Sequence, residues 1–99
     1  MRILYVPEVI DDLLDVRNWY ESRLDGLGEE FLRVAYVAFE ELLIFPEKNE
    51  IVYGIFRRVL MRRFPYSIYY RYSDDTITVF GVFHSSRDPR KTVDMLGTR

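Results

Sequence analysis

The sequence predicts an α+β domain of order β-α-α-β-β-β, a helical hairpin laid on one face of a small antiparallel twisted sheet. Three observations predict it. Apolar residues recur at helical spacing from Val9 to Phe45, with one break at "DGLG" (25–28). From Ile51 the pattern turns to alternation, and "YSIYYRY" and "ITVFGVF" are separated by the turn-forming "SDDT". A chain of 99 residues has room for one core, so the parts are expected to form a single domain over residues 1–99.

Each element has a local reason. "RILYV" (2–6) is a short β-type run that Pro7 closes. Pro suits the first helical position, and Glu8, Asp11 and Asp12 suit the positive end of a helix. Val9, Leu13, Val16, Tyr20 and Leu24 then form a stripe that Ile10 and Leu14 widen. The second helix starts near Gly28 and is ended by Pro46. Phe31, Val34, Ala35, Ala38, Leu42 and Phe45 make one stripe; Leu32, Tyr36, Phe39 and Leu43 make another. One stripe suffices to pack on a sheet, so the second needs a neighbour, either the first helix or a partner.

Residues 52–64, "VYGIFRRVLMRRF", predict a strand interrupted near Gly54. In "YSIYYRY" (66–72), Tyr66, Ile68, Tyr70 and Tyr72 share one face, and Ser67, Tyr69 and Arg71 share the other. "ITVFGVF" (77–83) returns as the next strand. After "HSSRDP", the tail "RKTVDMLGTR" adds one short helix or stays loose.

Composition narrows the function classes. With no cysteine there is neither a disulfide nor a thiolate metal site. No run approaches the ~20 apolar residues of a membrane span. The apolar stretch before Pro7 is too short for a secretory signal, so the cytoplasm is the expected compartment. Net charge is −2, but it is divided unevenly. Residues 1–50 hold five Lys/Arg against twelve Asp/Glu, a net of −7; residues 51–99 hold nine against four, a net of +5. Either the second half meets an acidic partner or the two halves attract each other within the fold.

The arginines and the single histidine are the candidate functional groups. Arg57-Arg58 and Arg62-Arg63 stand five apart. On a regular strand Arg58 and Arg62 share one face, and Arg57 and Arg63 share the other. Some are expected to pair with helix carboxylates. The rest, with Tyr70, Arg71, Arg87, Arg90 and Lys91, are expected to form a basic, tyrosine-bearing partner surface. His84 ends an apolar strand, where it is a solvated ring or a general acid or base. One His without Cys excludes a His/Cys metal site. Ser85 and Ser86 lack the glycines of a nucleophile elbow.

The stretches "GLGEEF", "LLIFPE", "RRFPYSIYYRY" and "VFGVFHSSRDP" resemble the RelE/ParE superfamily, toxins of bacterial type II toxin–antitoxin systems that include plasmid stabilisation proteins. The resemblance runs from Val6 to about Lys91. It implies a cytoplasmic toxin, without cofactor or metal, that arrests growth and is neutralised by a cognate antitoxin wrapped around it. Leu32, Tyr36, Phe39 and Leu43 are the implied antitoxin groove. Two activities share this fold: ParE-like binding to DNA gyrase, and RelE-like cleavage of mRNA on the ribosome. A third reading is a non-toxic relative that only binds its antitoxin. For the nuclease reading His84, Arg87, Arg62 and Arg63 are the candidate catalytic residues. Ser67 stands where the nuclease branch carries an arginine, and the pI of 5.4 opposes ribosome binding, so gyrase is the expected target.

Overall fold

The computed structural model describes residues 1–99. The chain runs β1 (Arg2–Tyr5), α1 (Pro7–Glu21), α2 (Leu27–Ile44), β2 (Ile51–Tyr53), β3 (Phe56–Leu60), β4 (Tyr66–Ser73), β5 (Thr76–His84) and α3 (Pro89–Thr98). The strands form one sheet in the order β1-β5-β4-β3-β2. Strands β2 to β5 are an antiparallel meander, and β1 joins β5 in parallel.

Pro7 opens α1 with its fixed φ, and Glu8 sits in the first turn. The α1–α2 corner depends on two residues. Gly26, at φ 87°, takes a left-handed conformation that other residues enter at a cost. Gly28 lies where the helices cross, and a Cβ there would stand 2.5 Å from the Arg17 carbonyl oxygen. Glu21 secures the corner by accepting the N–H groups of Gly26 and Gly28, each at 2.9 Å. Those are donors at the start of α2 that no helical carbonyl can reach.

The sheet has two covered faces. On one, Val9, Val16, Phe31, Ala35 and Leu42 of the hairpin bury against Ile68, Tyr70, Ile77, Val79 and Val82. Burying each Val, Leu, Ile or Phe side chain there contributes about 1.5–3 kcal/mol. On the other, Leu96 of α3 packs against Tyr69 and Phe83. The tail is therefore a helix, started by Asp88, whose side chain accepts the Arg90 N–H at 3.0 Å.

The strand expected over residues 52–64 is two shorter ones. Gly54, at φ 54°, turns the chain between β2 and β3. β3 ends at Leu60, because Met61 and Phe64 are both drawn into the core and Arg63 is left-handed at φ 67°. Arg62 and Arg63 thus lie in a bend, and the face-sharing expected for them with Arg58 and Arg57 does not arise. β1 also ends before β5 does: their last contact is the Val6 N–H on the Val79 carbonyl at 3.0 Å. Beyond it, Asp12 of α1 accepts the Val82 N–H at 3.0 Å, and Arg99 donates to the Phe80 carbonyl at 3.0 Å. Two charged side chains replace the missing strand.

Candidate functional site

The second apolar stripe of α2 leaves a groove between the helices. Leu32, Tyr36 and Phe39 line it with Tyr5, Val9, Ile10, Leu13 and Ala35, enclosing about 290 Å³. Its rim is open, since Tyr36 is 63% exposed and Ile10 is 59% exposed. Phe39 forms the floor, edge-on to Tyr5 with ring centroids 5.3 Å apart. Burial and the nearby Glu40 carboxylate push the Tyr5 phenol above its usual pKa, so its hydroxyl stays neutral and suits an apolar cleft. Leu43 packs against the core and does not line the groove. Ile10 was legible as one of the residues that widen the first helical stripe beyond what the core needs.

The basic residues divide by the strand face they leave from. Arg57 is paired across β3–β4 with Tyr70, on the hairpin side. Its guanidinium donates to the Asn49 carbonyl at 2.6 Å and fastens the loop before β2. Tyr70 is wholly buried and donates its hydroxyl to the Pro46 carbonyl at 2.9 Å. Burial raises its pKa; the Asn49 hydrogen bond and the Arg57 charge act in the opposite sense. Both residues were expected on a partner surface, and both instead hold the α2–β2 connection. The alternation placed Tyr70 correctly on one face with Tyr66 and Ile68; which face the helices cover is a tertiary fact.

Arg58 and Arg71 leave from the opposite face. Arg58 is paired with Tyr69, and Arg71 follows Tyr69 by two residues on β4. Neither makes an ion pair or a side-chain hydrogen bond, and the same holds for Lys91. Between them Tyr53 stacks on Tyr69 at 6.1 Å and Phe56 meets Phe80 edge-on at 5.0 Å. Arg90 is 92% exposed with Asp88 3.6 Å away, a separation that leaves it free to engage another partner. Tyr69 itself is buried under α3, so the open part of this basic surface is the half-buried Tyr53, Phe56 and Phe80 rings beside the unpaired guanidinium groups.

The four candidates for catalysis do not converge. His84 rests edge-on against Tyr66, on the hairpin side, at 5.1 Å. Its Nδ1 accepts the Ser86 N–H at 3.1 Å and lies 2.7 Å from the Ser86 hydroxyl. Arg87 is on the other side of β5, stacked 4.7 Å over Phe83 and donating to the Met95 sulfur of α3. Arg63 pairs with Glu30, and Arg62 with Glu41 at 3.6 Å, both at the α2 side of the bend. Ser67 is 1% exposed and lies 3.0 Å from the Ser85 hydroxyl.

The pair that sequence reasoning missed is Asp12 and Arg99. Both are charged residues with ordinary surface spacing, and no local pattern marks them. No helix is long and apolar enough to cross a membrane.

Among solved structures, a chain described as the chromosomal ParDE TA system from P. aeruginosa superposes with a TM-score of 0.63. It is 17% identical, with 85% of this chain and 95% of that chain covered, a likeness of fold. No curated protein sequence matches significantly. A family model described as the ParE toxin of the type II toxin–antitoxin system parDE matches residues 3–89. That span covers nearly the whole domain, from β1 to the start of α3, and the chain therefore belongs to the ParE toxin family of type II toxin–antitoxin systems.

Proposed function

We propose that this chain is a cytoplasmic toxin that arrests growth by binding DNA gyrase, with no hydrolytic step of its own. A cognate antitoxin silences it by filling the α1–α2 groove around Leu32, Tyr36 and Phe39. The observation that carries the binding reading is Ser67. Where the nuclease branch is expected to hold a cation for the scissile phosphate, this chain has a buried hydroxyl engaged with Ser85. In-line attack by a ribose 2′-hydroxyl needs a base, an acid and cationic support, all within reach of one phosphate. Here His84 and Arg87 lie on opposite sides of β5, and Arg62 and Arg63 are paired near α2.

Support for a protein target comes from the open face. Arg58 and Arg71 beside the half-buried Tyr53 and Phe56 combine free guanidinium groups with aromatic area, the residue types that dominate protein interfaces. The test is purified protein titrated into gyrase supercoiling and DNA-cleavage assays, beside ribosomes programmed with mRNA. Inhibited supercoiling with intact mRNA is the expected result. Ribosome-dependent cleavage of the message would move the chain to the nuclease activity. Expression without growth arrest would leave a relative that only binds its antitoxin.

A further inference from the structure

The turn that follows β5 brings the one histidine of the chain onto a serine hydroxyl. The Arg87 N–H donates to the His84 carbonyl at 3.0 Å, which closes a β-turn with Ser85 and Ser86 at its centre. The Ser85 N–H donates to the Pro65 carbonyl at 2.8 Å and ties the turn to the residue before β4. Tyr66 meets the His84 ring edge-on at 5.1 Å and holds its orientation. In that setting His84 Nδ1 lies 2.7 Å from Ser86 Oγ, whereas Ser85 Oγ lies 3.0 Å from the hydroxyl of Ser67. Two adjacent serines, both exposed, therefore differ in one respect: Ser86 faces a base and Ser85 faces another alcohol. Nδ1 also accepts the Ser86 N–H, so in the neutral ring it carries the lone pair and Nε2 carries the proton.

We propose that Ser86 is a covalent modification site, an alcohol that His84 activates toward small anionic acyl donors of the acyl phosphate class. Ser86 Oγ attacks the carbonyl carbon of the donor. As that bond forms, the Oγ proton passes to His84 Nδ1, and the bond between the carbonyl carbon and the phosphate oxygen breaks. Phosphate leaves with the electron pair, and the imidazolium returns its proton to phosphate or water. The product is a serine ester, and nothing is oxidised or reduced. A positioned imidazole contributes about 10²–10⁴-fold to such a step, an advantage that Ser85 lacks. The basic turn selects the donor. From residue 84 to residue 91 stand Arg87, Arg90 and Lys91 against Asp88 alone, and Arg90 is 92% exposed. That excess gathers an anion at the exposed hydroxyl, whereas a neutral ester gains nothing from it. The acyl group then stays. Phosphate is a good leaving group and the serine alcohol a poor one, and the N–H groups of Ser86 and Arg87 are already engaged and cannot support an oxyanion for hydrolysis. The inference rests on neither the gyrase target nor the antitoxin groove.

The experiment incubates the full chain with acetyl phosphate and maps acetylated residues by tandem mass spectrometry, before and after hydroxylamine, which removes esters and leaves acetyl-lysine. Ser86 is expected to carry the ester at least about tenfold above Ser85, the internal control in the same peptide. His84→Gln keeps a hydrogen-bonding side chain without a base. Confirmed as folded by thermal melting, it is expected to bring Ser86 down to the level of Ser85. Acetylation of Ser86 should slow in heavy water, because a proton moves as the bond forms. Added salt should slow acetylation by acetyl phosphate and leave that by neutral p-nitrophenyl acetate unchanged. Equal labelling of Ser85 and Ser86, or acetylation confined to lysines, would overturn the proposal. So would an undiminished Ser86 ester in His84→Gln, an equal rate in heavy water, or the same salt response for both donors.

Discussion

Arg99 holds Asp12 in a two-bond fork, Nη1 to Oδ2 at 2.6 Å and Nη2 to Oδ1 at 2.9 Å, across 87 positions of sequence. The fork is nearly enclosed, with the two side chains 8% and 13% exposed, and it joins α1 to the end of α3 over the sheet edge that β1 leaves uncovered. Phe83 lies 4.8 Å beneath the guanidinium. Removing one member leaves the other buried and unpaired, which costs about 3–5 kcal/mol in comparable pairs. Arg99→Ala and Asp12→Ala are each expected to lower the midpoint of urea unfolding strongly. The double variant should cost clearly less than the sum, because only the first substitution strands a charge. Additive costs would show that the fork contributes no coupling.

Glu21 gives the fold a defined acid sensitivity. The N–H of Gly26, foremost, and that of Gly28 hydrogen-bond its carboxylate and hold its pKa below the ordinary value of 4.5. A group depressed in the folded state stabilises that state fully above its unfolded pKa. The contribution is lost as pH falls through the folded value. Glu21→Gln is therefore expected to lower the melting temperature near neutrality and to flatten its decline below about pH 4.5. Thermal melts of both proteins from neutral to acidic pH check this; parallel curves would remove Glu21 from the acid response.

The helical hairpin was legible because its two apolar stripes and the "DGLG" break are local, and local spacing alone sets them. The exposed groove was legible for the same reason: a helix with more apolar residues than one interface needs must offer some to a second. Three features were not. Arg62 and Arg63 read as strand residues, but burial of Met61 and Phe64 on either side ends β3 first. Arg57 and Tyr70 read as surface groups by residue type, yet their face is the one the hairpin covers. The Asp12–Arg99 fork depends on where β1 stops along β5, a relation between distant segments that no window contains.

His84 is expected to be dispensable for toxicity. Its Nδ1 is engaged with Ser86, and its ring leans on Tyr66, away from Arg87. His84→Ala removes one exposed edge-to-face contact, a loss of about 0.5–1.5 kcal/mol. Growth arrest on induction should match the parent protein at equal abundance. A loss of arrest with unchanged folding and antitoxin affinity would restore His84 as an acid–base group.

Tyr36 tests the proposed antitoxin groove. At 63% exposure it contributes little to the core, so Tyr36→Asp should leave the melting temperature within a few degrees. Buried in an interface, the same residue becomes an aromatic anchor, and a carboxylate in its place costs about 2 kcal/mol or more. Antitoxin affinity, measured by calorimetry, is expected to fall roughly thirtyfold or more. Unchanged affinity would place the antitoxin elsewhere on the molecule.

Arg58 and Arg71 test the open face, and they must be separated from the groove to be informative. Both side chains leave β3 and β4 on the side away from the hairpin, unpaired, with Tyr69 between them. Arg71 is exposed and Arg58 half-buried, and neither is paired, so charge reversal changes stability by about 0.5 kcal/mol or less at the first and by about 1 kcal/mol at the second. The Arg58→Glu/Arg71→Glu variant should therefore fold normally and keep its hold on an antitoxin seated between α1 and α2. If this face engages gyrase, two attractions become two repulsions, and the concentration for half-inhibition of supercoiling should rise at least about tenfold. The loss should also shrink in high salt, because screened charges repel less. A variant that inhibits gyrase as well as the parent, at any salt, would show that the target is met by a different surface. A variant that loses antitoxin binding and gyrase inhibition together, with its fold intact, would show that one face serves both partners.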